Sequence, residues 1–465
     1  MRVLYFIFVI YSVHIAGLVA QNRSFYEISR LPFTSDRYDE FAPAYYDGGL
    51  VYTSNQRTGF LITRMTREDE NLFNIFYTDQ SRLDNWRNPR LFSKSLQSNY
   101  HDGPVSFSAD GSMVFFTRNL PGRRYEKSTL GIFMADNANG QWVNIRPFPW
   151  NNDNYNLTHP SISADGRILF FASDMPGGFG GMDIYMSRLE GNRWSVPENL
   201  GEIINSPGDE VFPYIHPGGR IYYSSDNNNS RLDLYFSSPG SSGWMKPVRL
   251  PKPINSEADE FGFIAEGDLG KGYFSSNREG TDNIYSFIST FPLFTQCSSI
   301  QEPELCYEFY EQRGEAVDTT LFYFQWDMGD GTIIRGLEAD HCFKDTGTYI
   351  IRLNVLDLVT GEMQYNVAEY RFTIERIQQP YIHAPDTVRA GRSFILDASE
   401  SYIKDFDKEG FYWETGDGAK YEGETITHSY AEPGTYQVRL GMLPLPGTSS
   451  GQQRACVYKF IVVTE

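Results

Sequence analysis

One feature constrains this chain more than any other: a sequence repeat with a period of about 50 residues. The first copy reads Pro43-Ala44-Tyr45-Tyr46-Asp47-Gly48-Gly49-Leu50-Val51-Tyr52-Thr53-Ser54. It returns from Pro104, with Ser108-Ala109-Asp110-Gly111 ahead of Met113-Val114-Phe115-Phe116, and from Pro160, with Ser163-Ala164-Asp165-Gly166 ahead of Ile168-Leu169-Phe170-Phe171. A fourth copy runs from Pro213 to Ser225, and a degenerate fifth from Phe261 to Ser276. Each copy is followed by a short motif centred on Ile75, Ile132, Ile184, Leu234 and Ile284, so the steps are 57, 52, 50 and 50 residues. Trp86, Trp142, Trp194 and Trp244, each with a proline after it, separate the copies.

The physics of one unit follows from its residues. Asp-Gly and Gly-Gly supply the positive φ of a tight hairpin. An apolar, aromatic strand follows, then a Gly-rich polar loop, then another strand, and the Trp/Pro segment makes an outer strand. Four short strands per repeat is a propeller blade, which cannot bury both faces alone but can do so in a ring. Five copies predict five blades. The run Phe25-Tyr26-Glu27-Ile28 has no blade of its own and is read as the strand that completes the last one. Six blades is the alternative, if residues 286–296 contribute.

Composition agrees with an all-β chain. The 465 residues include 34 Phe, 31 Tyr and 41 Gly, which favour strands and turns. The length predicts two to four domains. A net charge of −19 argues against a nucleic-acid partner, which needs a basic face. Residues 1–20 read as a signal peptide: Arg2, then an apolar run to Val19, then Ala20 before a polar stretch. The alternative for the same run is an uncleaved anchor. No other segment has transmembrane length, so no transmembrane segment is expected in the mature chain.

The Ser-Ala-Asp-Gly turn, the Phe-Phe-Ala-Ser-Asp line and Gly180-Gly181-Met182-Asp183-Ile184-Tyr185 resemble TolB-type (WD40-like) propeller repeats. Asn205-Ser206-Pro207-Gly208-Asp209-Glu210 and Asn255-Ser256-Glu257-Ala258-Asp259-Glu260 resemble the subset found in OmpA-like envelope proteins of Bacteroidota. After Phe291 the texture changes. Two segments carry one order of signals: Trp326, Gly329-Asp330-Gly331, His341-Cys342-Phe343 and Gly347-Thr348-Tyr349; then Trp413, Gly416-Asp417-Gly418, His428-Ser429-Tyr430 and Gly434-Thr435-Tyr436. These resemble PKD domains, which implies immunoglobulin-like β-sandwiches. The expected organisation is a signal peptide at 1–20, a propeller at 21–295, and PKD-like domains at 296–376 and 380–465. Within such a sandwich the run Cys306–Tyr310 would lie beside the strand carrying Cys342. That favours a Cys306–Cys342 disulfide over the local Cys297–Cys306, and leaves Cys456 free.

No nucleophile elbow, P-loop, His-Glu-x-x-His or Cys-x-x-Cys motif occurs. Asp47, Asp110 and Asp165 sit in turns, and Asp183, Asp233, Asp209-Glu210 and Asp259-Glu260 recur with the blade. Catalytic groups break a repeat, whereas these keep it. No catalytic residue, cofactor or metal is therefore expected. The resemblance implies a non-enzymatic scaffold, exported to the periplasm or outer membrane, that binds envelope proteins, with the type IX secretion or gliding machinery as its setting. The alternative is a secreted carbohydrate-binding or carbohydrate-active protein, with a glycan as partner. The expected docking rim is a pair of irregular basic loops carrying Arg57, Arg64 and Arg67, and Arg118, Arg123, Arg124 and Lys127.

Overall fold

A computed structural model describes residues 25–57, 71–81, 85–120, 129–227, 231–240, 243–267, 269–292, 294, 296–311, 320–445 and 454–465. The segment read as a signal peptide lies outside these. Every regular element described is a strand. The chain divides into two compact units, Met1–Leu293 and Phe294–Glu465.

The first unit contains five antiparallel blades. Their inner strands are Glu40–Tyr46, Asp102–Phe107, Leu157–Ile162, Glu210–Ile215 and Glu260–Ala265. Blades one to four take their strands in chain order. Blade five takes its outer strand from the other end of the repeat array: Tyr26–Arg30 pairs antiparallel with Asn283–Ser289, with Ile28 opposite Phe287. This closes the ring with hydrogen bonds between the first and last strands, and it leaves five blades, since Asn283–Ser289 is an interior strand of the fifth. The Trp/Pro segment forms the outer strand only in part. It is Gln141–Pro147 in blade two, but Val248–Arg249, beyond Trp244, in blade four.

Aromatic second strands fill the gaps between neighbouring sheets. Phe116 and Val114 of blade two pack with Val51 and Ile75 of blade one, and Phe171 and Leu169 of blade three pack with Phe115 and Ile132 of blade two. Each inner strand is bulged at one place, where two residues stand against one on the neighbour. The residue at the bulge has positive φ in all five blades: Ala42, Gly103, His159, Phe212 and Gly262. In four of them a proline follows.

The second unit holds two sandwiches. The first sets a four-stranded sheet, Ile333–Arg335, Phe322–Asp327, Gly347–Asp357 and Met363–Ile374, against the pair Cys306–Tyr310 and Glu338–Cys342, over Trp326, Met328 and Phe343. The second is built around Trp413, Tyr430 and Ile461. The repeated motifs have equivalent tasks in both. Trp326 Nε1 donates to the Gly336 carbonyl at 3.2 Å and Trp413 Nε1 to that of Gly423 at 2.8 Å. Gly329 and Gly416, at φ of 77° and 85°, sit where a Cβ would collide with the backbone of Ile350 or Gln437. His341 and His428 meet Asp330 and Asp417 at 2.8 and 3.1 Å.

Cys306 and Cys342 stand opposite each other in register and are disulfide-bonded. Cys456 departs from the sequence reading. It is bonded to Cys297, not free. The reason is a strand exchange: Ser298–Ser299, ahead of the first sandwich in the chain, pairs in parallel with the last strand of the second.

Candidate functional site

The inner strands surround a cavity of about 820 Å³ that reaches the hairpin turns, including Tyr46–Gly49 and Ser108–Gly111. Toward the opposite ends of these strands lies a cluster of rings. Phe41 meets Phe212 at 6.4 Å and Phe261 at 5.9 Å between centroids, and Phe212 lies flat on His159 at 3.6 Å. The cavity is thus a funnel with an aromatic floor. Burial drives the His159 pKa down to about 3. The ring is neutral, and its Nδ1 accepts the Phe212 N–H at 3.4 Å.

The strands around the funnel are held by two repeated devices. The first uses asparagine. Asn151, Asn205 and Asn255 each accept from and donate to one residue of the third strand, Ile132, Ile184 and Leu234 respectively, at 2.8–3.1 Å. The side-chain amide supplies one more rung beside the strand. The second device uses the acidic pairs. Glu210 accepts from the Ser206 N–H and hydroxyl and from Ser225, at 2.6–2.7 Å. Glu260 repeats this with Ser256 and Ser276 and adds Arg278 at 3.0 Å. Asp209 and Asp259 latch the previous blade by accepting the N–H of Met182 and Leu232. Asp39 does the same to Asp282 across the ring closure. Asp183 accepts from Phe179, Gly180 and Asn199, and Asp233 is bound by Arg249 at 2.6 and 2.8 Å. Each recurring carboxylate of these motifs is therefore engaged either within its blade, as Asp183 and Asp233 are, or in a latch to the previous one, as Asp209 and Asp259 are.

Glu40 is the exception in kind. It is buried like Glu210 and Glu260, yet among the described residues it is held only by Ser35, whose N–H donates to it at 3.2 Å. Burial pushes its pKa up to about 7, and that of Asp282, beside Asp39 and Asp259, up to about 6.

The expected basic rim is only partly visible. Arg64, Arg67, Arg123, Arg124 and Lys127 lie outside the described residues. Arg57 is exposed. Arg118 is not a rim residue: its Nε donates to buried Asp102 at 2.6 Å, another nitrogen to the Leu96 carbonyl, and its guanidinium lies over Phe116. A strand-end arginine next to a buried aspartate is drawn into the blade, because either charge alone would be costly there. Sequence reasoning missed the funnel, whose lining residues Asp47 and Asp110 were legible only as turn residues and Tyr45 only as part of the repeat line. The recurrence of Pro43, Pro104, Pro160 and Pro213 in successive repeats was the available signal. Among the described residues no group of three or more His, Cys, Asp or Glu could hold a metal ion.

Residues 302–371 and 378–457 match the family model of the PKD domain. The second unit carries two PKD domains. Human Polycystin-1 is 25% identical over 127 residues, 26% of this chain; the match spans only 3% of that relative's length. Among solved structures, a TolB protein of Agrobacterium tumefaciens aligns over 87% of this chain and 97% of its own, at 12% identity and a TM-score of 0.34. An exo-β-1,3-galactanase of Clostridium thermocellum covers 95% of this chain and 100% of its own, at 12% identity and a TM-score of 0.38. An oligogalacturonate lyase of Vibrio parahaemolyticus covers 56% and 93%, at 12% and 0.31. Values this low transfer no activity, and the propeller assignment rests on the five blades themselves.

Proposed function

We propose that this chain is a non-enzymatic binding scaffold of the bacterial cell envelope. Its propeller offers a rigid funnel and its PKD domains act as spacers or further binding faces. One observation carries the reading: the Asp and Glu side chains that recur outside the hairpin turns are tied up within their blades or, at Asp39, Asp209 and Asp259, in latches to the previous blade, so they serve rigidity and leave recognition to the funnel and loops. Two disulfides and the PKD pair fit an exported protein. The resemblance of the Asn-Ser-x-x-Asp-Glu segments to Bacteroidota envelope repeats names the setting, with the type IX secretion or gliding machinery as the assembly served. Crosslinking in intact envelopes followed by affinity capture tests this. A reproducible envelope protein should co-purify; recovery of the chain alone after efficient crosslinking would sink the scaffold reading.

A further inference from the structure

We propose that the funnel binds a cationic peptide, an extended segment of a partner protein bearing arginine or lysine. This rests on the scaffold reading and names its ligand class.

The wall chemistry carries the inference. Each inner strand is the terminal strand of its sheet, so one of its edges meets no other strand. The donors around the bulges are removed in two ways. Pro43, Pro104, Pro160 and Pro213 have no N–H at all. The N–H groups of Ala42, His159, Ile162 and Ile215 are taken by Ser275, Thr117, Ser106 and Ser161 of the adjoining blade, at 2.9–3.0 Å. Phe212 gives its N–H to His159. Carbonyl oxygens keep spare lone pairs, so at the bulges of blades one, three and four the main chain accepts hydrogen bonds and hardly donates them. The Asn137 amide is turned to Tyr46 and Gly111.

The charged lining points the same way. It consists of Asp47, Asp110 and Glu266 against Lys271, and Lys271 is paired with Glu266 at 3.0 Å. The Asp47 carboxylate is exposed and Asp110 is held ionised, its pKa lowered to about 2 by hydrogen bonds from Ser108 and Ser112. Tyr45, 36% exposed, meets Tyr273, and Tyr273 meets Trp86, in edge-to-face contacts. Aromatic faces of this kind favour guanidinium and ammonium groups. An anion would find acceptors and carboxylates there. A lone cation would leave most of 820 Å³ empty, whereas a few residues of peptide bring both N–H donors and a charge.

The test is fluorescence anisotropy on the purified chain with acetylated, amidated hexapeptide pools containing arginine, and matched pools with glutamine or glutamate instead. Arginine pools should bind about tenfold or more tightly than glutamine pools, and more weakly as salt rises. The D47N/D110N variant should lose most of that preference. E409Q, which removes one charge from the second unit, should retain it. If the double variant folds poorly, D47N alone serves, since Asp47 sits in an exposed turn. Equal binding of all pools would overturn the cationic class and leave the scaffold standing. Arginine binding untouched by D47N would overturn the funnel as its place, and no peptide binding at millimolar concentration would overturn the proposal outright. Capture of a crosslinked envelope partner in that last case would keep the scaffold reading intact.

Discussion

At the scale of single residues, the buried polar groups of the propeller separate into satisfied and unsatisfied ones. Asn255 is fully buried and makes three backbone hydrogen bonds, to Leu234 twice and to the Leu250 carbonyl. Asn255→Ala strands a donor and acceptors away from water, which costs about 2–4 kcal/mol. The propeller transition in urea should shift accordingly, and an unshifted midpoint would show that water replaces the amide. Glu40 is the opposite case. Its folded pKa, about 7, lies above the usual carboxylate value, so the fold prefers it protonated. Its contribution is fully present below the unfolded pKa, near 4.3, and is lost as pH rises through 7. Glu40→Gln should therefore raise the propeller melting temperature at pH 8 and change it little at pH 4. A difference between variant and parent that is flat across this range would refute the assignment. Asp282 acts in the same direction through about pH 6.

At the scale of elements, the decisive one is Tyr26–Arg30. It is short, and its residues alternate between half-buried and exposed, yet it is the outer strand of blade five and covers the edge of Asn283–Ser289. Arg30 reinforces the join with Asn283 and Glu279 at 2.9 and 2.8 Å. Removing residues through Leu31 would leave that edge unpaired and open the contact with blade one. An exposed edge strand recruits other chains. The truncated chain should melt several degrees lower and elute partly as higher oligomers in size-exclusion chromatography. A monomeric truncation with unchanged melting would mean that the remaining four blades and the three-stranded fifth hold the ring without it. The inner strands behave differently. Their bulges recur in every blade, and each fixes where a proline or a positive-φ residue meets the funnel.

At the scale of the whole molecule, all four cysteines fall in the second unit, at 297, 306, 342 and 456. The Cys297–Cys456 bond closes a separation of 159 residues and Cys306–Cys342 one of 36. Loop-closure entropy gives about 5 and 4 kcal/mol for bridges of these lengths. Reduction should lower the melting transition of the PKD unit and leave that of the propeller in place. Two calorimetric transitions, of which one moves with dithiothreitol, are the expected record. A propeller transition that falls equally would refute this independence. The first bridge also ties the segment that enters the unit to its last strand, Ala455–Thr464, and Phe294 of that segment covers Gly441, which stands opposite Cys456 on the neighbouring strand. The first sandwich is thus inserted between two parts of the second.

The repeat period, the hairpin turns and the alternation of apolar residues are local patterns, and local patterns carry the fold class. Five blades and the closing strand were legible from them because each unit writes its own turns and strand periods into consecutive residues, while the two sandwiches were implied by the resemblance of the repeated Trp, Gly-Asp-Gly, His-x-aromatic and Gly-x-Tyr order to PKD domains. The structural use of Asp209-Glu210 and Asp259-Glu260 was legible for the same reason: a residue that recurs with the blade serves the blade. The funnel was not legible, since its lining comes from five segments about 50 residues apart, and a turn aspartate reads the same whether it faces solvent or a shared axis. Nor was the inward turn of Arg118, which depends on a partner 16 residues earlier that only strand pairing brings alongside. The Cys297–Cys456 bond needed the exchange of Ser298–Ser299 into the second sandwich, a contact across a whole intervening domain. Sequence by itself determined what each repeat becomes, because hydrogen bonding and turn geometry act between near neighbours. The tertiary structure alone decided which side chains meet around the axis and across the inserted domain, because those meetings depend on ring closure and strand exchange.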